Sequence, residues 1–238
     1  MAGYFLREKT GRIATLTFNR PEKRNPLNVE VMKELEGHLA AIRDDNDVRV
    51  LVFTATGNTF SAGADLSKYR AISDPAERQR SLAESARRTS RIIGRAVAML
   101  GSMEALTVSA VNGYAIGGGW SLALGCDFVL AVEQAEFWFP EVDLGVPLGA
   151  AACGILTAAV GPFRAREIII SCRHYKAREL YELGLVNRVL RREEFPVEVQ
   201  RFAEELAAKN PTAAAFSKAT VNAAAARIVR TDLLLPAL

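Results

Sequence analysis

A chain of 238 residues, half of them hydrophobic, carries enough apolar material for one large core, with room for a small appended helical piece. Its 30 basic and 27 acidic residues are spread along the length, so the net charge of +3 leaves no footprint of a dedicated nucleic-acid binder. Met1 to Arg7 lack the apolar run of a signal peptide and no later stretch is apolar enough to span a bilayer; Cys126, Cys153 and Cys172 are too scattered, with only His38 and His174 beside them, for a disulfide framework or a zinc site. The expectation is a cytoplasmic protein with no membrane segment, no bound metal and cysteines that serve as small buried hydrophobes.

Ile13 to Phe18 alternates as a strand, and Pro21 to Pro26 is a charged, proline-bounded turn. Asn28 is a candidate N-cap for a helix whose Val29, Met32, Leu35, Leu39 and Ile42 share one face. Val48 to Thr54 is a continuous apolar run suited to a buried strand. A loop from Gly57 to Ala64 leads to Asp65, a candidate cap for a short helix, and Asp74 to Met103 reads as one long helix rich in Arg and Ala. Val108 to Val111 is a third buried strand, running into Asn112 and the glycines 117 to 119. Trp120 to Leu124 then reads as a buried helix, Phe128 to Val132 and Phe137 to Phe139 as strands, and Ala150 to Val160 as an apolar helix. From Pro162 the pattern is helical, interrupted by Gly184 and a strand at Leu185 to Leu190. This alternation of strands and helices predicts an α/β fold.

Two segments combine small residues with a position between a buried strand and a helix start. Glycines 117 to 119 let a ligand approach the backbone, and the following helix offers unpaired N–H groups and a positive dipole end to an anionic oxygen. The same glycines would also serve tight helix packing or a phosphate site. The stretch Phe60 to Leu66 (FSAGADL) has the same character, with Asp65 equally readable as a plain helix cap.

The segments Asn19 to Asn28 (NRPEKRNPLN), Phe60 to Leu66, Ala110 to Gly119 (AVNGYAIGGG) and Pro140-Glu141-Val142 together resemble the successive signatures of the crotonase (enoyl-CoA hydratase/isomerase) family. They occur in that family's order and spacing, from about Ile13 to about Val189. The resemblance implies a spiral of ββα units over residues 1–190, followed by a C-terminal helical oligomerisation region over 191–238 that builds a trimer or a dimer of trimers. It implies an acyl-CoA substrate, with coenzyme A entering as part of that substrate and no permanently bound cofactor. By residue matching, the N–H groups of Ala64 and Gly118 would hold the thioester oxygen, and Arg24, Ala62, Ala64, Asp65, Leu66 and Gly118 would line the coenzyme A site.

The reaction itself depends on the acid/base side chains. Hydratases of the family usually carry a glutamate two residues after the glycine triplet and a second in the Pro-Glu segment; this chain has Ser121 at the first position and Glu141 at the second. A serine is no base at neutral pH, although it could orient a water. One glutamate suffices to move a double bond, so isomerisation or single-glutamate hydration is expected, with thioester hydrolysis or mere acyl-CoA binding as alternatives. Glu141 follows the apolar Phe137-Trp138-Phe139-Pro140, which would raise its pKa into a useful range. It could also be a surface or ion-paired carboxylate, Ser121 a helix residue bonding its own backbone, and Asp143 either a second polar group in the pocket or an ion-pair partner. No Gly-x-Ser-x-Gly elbow with a histidine partner is present, which excludes a serine hydrolase triad. The resemblance departs at Val146 to Thr157, where an unusual acyl pocket is expected, and at Leu238, where the family normally continues through a further helix. Lys23 and Arg24 are then candidates for contacting coenzyme A phosphates, unless they are simply solvated. The apolar Leu233-Leu234-Leu235-Pro236 is expected to be buried against the body or a neighbouring subunit.

Overall fold

The computed structural model describes residues 3–69 and 71–228. The expected burial of the tail at Leu233 to Pro236 lies outside the described residues.

Among the described residues ten strands form two sheets. In the first, β1 (Phe5–Thr10) and β2 (Ile13–Phe18) make an antiparallel hairpin, and β3 (Val50–Ala55), β5 (Leu106–Val111), β7 (Phe128–Val132) and β10 (Arg188–Leu190) add in parallel, in the order β1-β2-β3-β5-β7-β10. The second sheet has the order β4-β6-β8-β9, with β4 (Thr59–Ser61), β6 (Tyr114–Ile116) and β8 (Glu136–Trp138) parallel and β9 (Tyr175–Lys176) antiparallel. The pairs β3/β4, β5/β6 and β7/β8 each pass from the first sheet into the second and then into a helix. This is the expected spiral of ββα units.

The central strands owe their place to composition. All six residues of β5 are buried and five of six in β3, as a parallel sheet covered on both faces requires. Helix α1 (Val29–Arg43) starts where the Asn28 side chain accepts a hydrogen bond from the Val31 N–H at 2.9 Å, and it buries Val31, Met32, Leu35, Leu39 and Ile42. Val29, expected on that face, is only half-buried. Helix α2 (Pro75–Ser102) is capped by Asp74, whose carboxylate accepts from the Ala76 and Glu77 N–H groups. Helix α3 (Gly118–Leu124) is buried almost throughout. Helix α4 (Ala150–Ile170) is broken at Gly161 (φ 75°, ψ 165°) before Pro162, so the two helical pieces expected there abut across a kink.

Helices α5 (Ala177–Glu182), α6 (Phe195–Ala207) and α7 (Pro211–Ile228) complete the described chain. Helix α7 is fastened by one buried ion pair. Lys218 Nζ lies 2.8 Å from Asp127 Oδ2 and also donates to the carbonyls of Leu100 and Ala105, while Asp127 accepts from the Thr107 N–H and hydroxyl. Among the described residues no helix is long and apolar enough to cross a membrane.

Cys126 and Cys172 are buried as expected, whereas Cys153 on α4 is only half-buried. Burial pushes the Cys126 thiol up to about 12.

Candidate active site

Both small-residue segments lie at the C-terminal ends of neighbouring strands of the second sheet, where Ser61 of β4 stands opposite Ala115 of β6. Gly63 (φ 75°) lets them approach further: a Cβ there would lie 2.7 Å from the Ile116 carbonyl oxygen. Leu27 bridges the first segment, its N–H donating to the Gly63 carbonyl at 2.7 Å and its carbonyl accepting from the Asp65 N–H at 2.8 Å. In such a parallel bridge the residue between the two bonds, here Ala64, turns its own N–H and C=O away from its partner. The Ala64 N–H has no partner among the described residues.

In the second segment the Gly117 N–H donates to the Trp138 carbonyl at 3.0 Å, and Gly118 opens α3. The first N–H groups of a helix have no intrahelical acceptor; that of Gly118 has none among the described residues either. Ala64 and Gly118 line one cavity of about 840 Å³, its open mouth included, together with Ala62, Ser121 and Glu141.

Glu141 follows β8 through Phe139 and Pro140. The Phe139 ring stacks on Trp120 of α3 at 4.4 Å and 15°, which fixes the chain just before the glutamate. The turn after it closes on itself, with the Leu144 N–H donating to Pro140, Gly145 to Val142 and Val146 to Glu141. The carboxylate hangs over Gly117, and its Oε2 is buried without a hydrogen-bond partner among the described residues. Burial pushes this carboxyl up to about 7, only partly offset by a backbone hydrogen bond. Glu141 has no ion-pair partner among the described residues.

Ser121 is buried on the cavity wall, and its hydroxyl donates to the Gly117 carbonyl at 3.2 Å, one helical turn back. Asp143 has neither expected role: it is exposed, does not line the cavity and has no ion pair among the described residues. The reason is the tight turn at 141–145, which carries it to the outer side. His38 faces Glu34 on α1 and His174 stacks on Trp138 at 3.9 Å; neither lines the cavity.

A second, more open groove is lined by Lys23, Arg24, Asp65 and Ser67 and shares Ala62, Ala64 and Leu66 with the first cavity. All the residues matched to the coenzyme A site thus lie on these two connected surfaces. Asp65 caps the turn at Ser67–Tyr69 and is held below the ordinary carboxylate range, chiefly by the Ser67 hydroxyl and in part by the charges of Arg20 and Lys23. The turn bearing Lys23 and Arg24 is pinned from below by Asn25, fully buried at φ 52°: its side chain donates to the Thr56 and Thr59 carbonyls and accepts from the Arg20 N–H.

One wall escaped the sequence reading. Leu82, Ser85, Ala86, Thr89, Ser90 and Ile93 of α2 line the cavity. Their spacing of three and four residues was the available signal.

Residues 8–234 match the family model described as enoyl-CoA hydratase/isomerase. The chain belongs to that family. Among curated relatives it is 34% identical over 216 residues to a crotonyl-CoA hydratase of Syntrophomonas wolfei, covering 90% of this chain and 80% of that protein. It is 36% identical over 208 residues to a putative enoyl-CoA hydratase of Thermus thermophilus, covering 87% and 79%. Among solved structures, an enoyl-CoA hydratase subunit of Geobacillus kaustophilus superposes with a TM-score of 0.81 at 34% identity, covering 94% of this chain and 82% of that one. Within the enoyl-CoA hydratase/isomerase family, the ββα spiral and the helices after it are therefore shared architecture.

Proposed function

We propose that this enzyme of the enoyl-CoA hydratase/isomerase type moves a proton beside an acyl-CoA thioester, with Glu141 as the single acid/base and the Ala64 and Gly118 amides as the oxyanion donors. The observation that carries the reading is the Glu141 carboxylate: half-buried with Oε2 fully enclosed, without an ion pair among the described residues and raised to about 7, in one cavity with two N–H groups that have no partner among those residues. No other carboxylate lines that cavity among the described residues.

One carboxylate favours double-bond isomerisation. Glu141 takes a proton from C2 of a 3-enoyl thioester, the electron pair spreads through the C3–C4 double bond and the carbonyl, and the negative charge collects on the thioester oxygen. Two peptide N–H groups aimed at that oxygen are each worth about 3 kcal/mol in the transition state. Glu141 then returns the proton to C4, leaving the conjugated 2-enoyl thioester. A second reading, favoured by relatives that are named hydratases, is hydration of a 2-enoyl thioester. Glu141 would then take the proton from a water whose oxygen bonds to C3, and would return that proton to C2.

Coenzyme A belongs to the substrate in this reading. Its phosphates would meet Lys23 and Arg24, whose exposed side chains border the groove leading to Ala64. A homotrimer or a dimer of trimers accords with the exposed Phe216 and Val221 on α7.

Incubation with a 3-enoyl-CoA and, separately, a 2-enoyl-CoA distinguishes the reactions through the conjugated thioester absorbance. It rises in isomerisation and falls in hydration, and Glu141→Gln is expected to abolish whichever is seen. Turnover undiminished in that variant, or no change with either ester, would sink the assignment.

A further inference from the structure

Three hydroxylated residues of α2, Ser85, Thr89 and Ser90, line the cavity, each half-buried; Ser85 also borders a neighbouring groove with Lys68 and Arg88. Elsewhere in this fold, helical hydroxyls of Ser121, Thr157, Ser171 and Thr220 are spent on the carbonyl one turn back. Those of Ser85, Thr89 and Ser90 have no hydrogen-bond partner among the described residues. None of the three is enclosed as a buried, unpartnered atom, so each is accessible to a ligand or to solvent. An alkyl chain laid along them would displace solvent and leave the hydroxyls without partners, which is unfavourable.

Their position along the cavity is set by the helix. The Ile93 end of the stripe meets the reacting end of the cavity: a Cβ on Gly118 would lie 2.5 Å from Ile93 Cδ1. Thr89 and Ser90 precede Ile93 by about one turn, roughly 5 Å along the axis, and Ser85 by about two turns, roughly 12 Å. Ser90 also packs against Gly149, where a Cβ would lie 3.4 Å from the serine Cβ, so this part of the wall is braced by the start of α4. For an acyl chain that leaves Gly118 along α2, the one-turn separation of Thr89 and Ser90 from Ile93 corresponds to about four carbon–carbon bonds.

The charge of the site narrows the ligand further. No lysine or arginine lines the cavity among the described residues, and Glu141 supplies its one ionisable carboxylate. A second carboxylate on the acyl group would meet that charge with no cation to offset it.

We infer that the acyl group of the substrate bears an uncharged oxygen, a hydroxyl or a ketone, near its fifth or sixth carbon, held by Thr89 and Ser90 of α2 with Ser85 beyond them. This rests on the cavity being the acyl site proposed above. Selectivity arises because the oxygenated chain pairs hydroxyls that an alkyl chain leaves bare.

The test compares 3-hexenoyl-CoA with 6-hydroxy-3-hexenoyl-CoA, and the two corresponding 2-enoyl esters, in wild type, Thr89→Val, Ser90→Ala and Thr89→Ser. Wild type is expected to favour the hydroxylated ester by about tenfold in kcat/KM, the equivalent of one hydrogen bond. Thr89→Val and Ser90→Ala shift the ranking toward the alkyl ester, and Thr89→Ser, which keeps the oxygen, restores it. An alkyl ester handled as well as its hydroxylated partner by wild type overturns the inference, as does a ranking that survives both hydroxyl deletions, or one lost equally in Thr89→Ser. In those cases turnover of the alkyl ester leaves the proton-transfer reading standing. No conversion of any ester removes both.

Discussion

The carboxylate of Glu141 sits directly over the α-carbon of Gly117. A Cβ built on that glycine would lie 2.6 Å from Glu141 Oε1, and the glycine's φ of 51° disfavours any side chain. The glycine therefore sets the position of the acid/base group as well as the entry to α3. Gly117→Ala is expected to lower kcat/KM by about 100-fold, because an ångström of displacement at a proton donor has that order of effect. Its melting temperature should fall by the several degrees that about 1–3 kcal/mol of backbone strain at φ 51°, ψ −119° implies. Activity close to wild type would show that the carboxylate is not held there.

The raised carboxyl of Glu141 has two pH signatures. As a base it must be ionised, so kcat/KM for isomerisation should climb with pH and level off above about 7. Stability runs the other way. A carboxyl raised in the folded state favours folding fully below its unfolded value near 4.5, and that advantage is lost as pH rises through about 7. Glu141→Gln, which stays neutral, should thus gain on wild type in urea unfolding between those two values, by an amount of order 3 kcal/mol, with no further change at higher pH. A difference that does not vary with pH would contradict the raised value.

Asn25 joins the basic turn to the strand that leads into Ala64. Replacing it by Ala leaves the Thr56 and Thr59 carbonyls and the Arg20 N–H without their partners, at a cost of about 3 kcal/mol for three hydrogen bonds. The turn carrying Lys23 and Arg24 then loosens. Steady-state kinetics should show KM for the coenzyme A ester rising more than kcat falls; an effect confined to kcat would argue against the groove as the phosphate site.

Lys218 is the pin of α7. Lys218→Met strands the Asp127 carboxylate in a buried position and should cost about 3–5 kcal/mol, read as a lower urea midpoint. Adding Asp127→Asn should recover part of that loss. Equal stability of Lys218→Met and wild type would mean that the pair contributes nothing.

The parallel strands β3, β5 and β7 were legible because burial on both faces makes their sequences predominantly apolar, although β5 carries Thr107 and Ser109 and was read only from Val108. Strand β1 was not. Only Phe5 of its six residues is buried, so Arg7, Glu8 and Lys9 hide it in a polar stretch, and its pairing with β2 supplies what its composition lacks. Strands β4, β6 and β9 are two or three residues long and too short to show a period. At the site, Glu141 stood out through its motif and through the apolar Phe137, Trp138 and Phe139 before it, which pointed to a raised carboxyl; the groups that complete its surroundings, Trp120 and the turn at 141–145, are not legible locally. The cavity wall on α2 was missed for the opposite reason. Its arginines and glutamates dominate the composition, and the stripe of small and hydroxylated residues declares itself only once the helix is seen to face Gly118.

Each strand of the first sheet, from β2 through β10, takes its place beside its predecessor in that sheet, and the second sheet grows in the same one-way fashion. A ribosome emitting this chain therefore never has to wedge a late strand between two that are already joined. Besides the outer edge of β1, every intermediate length exposes one growing edge, which the next strand to emerge covers, so the interval during which that growing edge could recruit another molecule is set by the rate of translation.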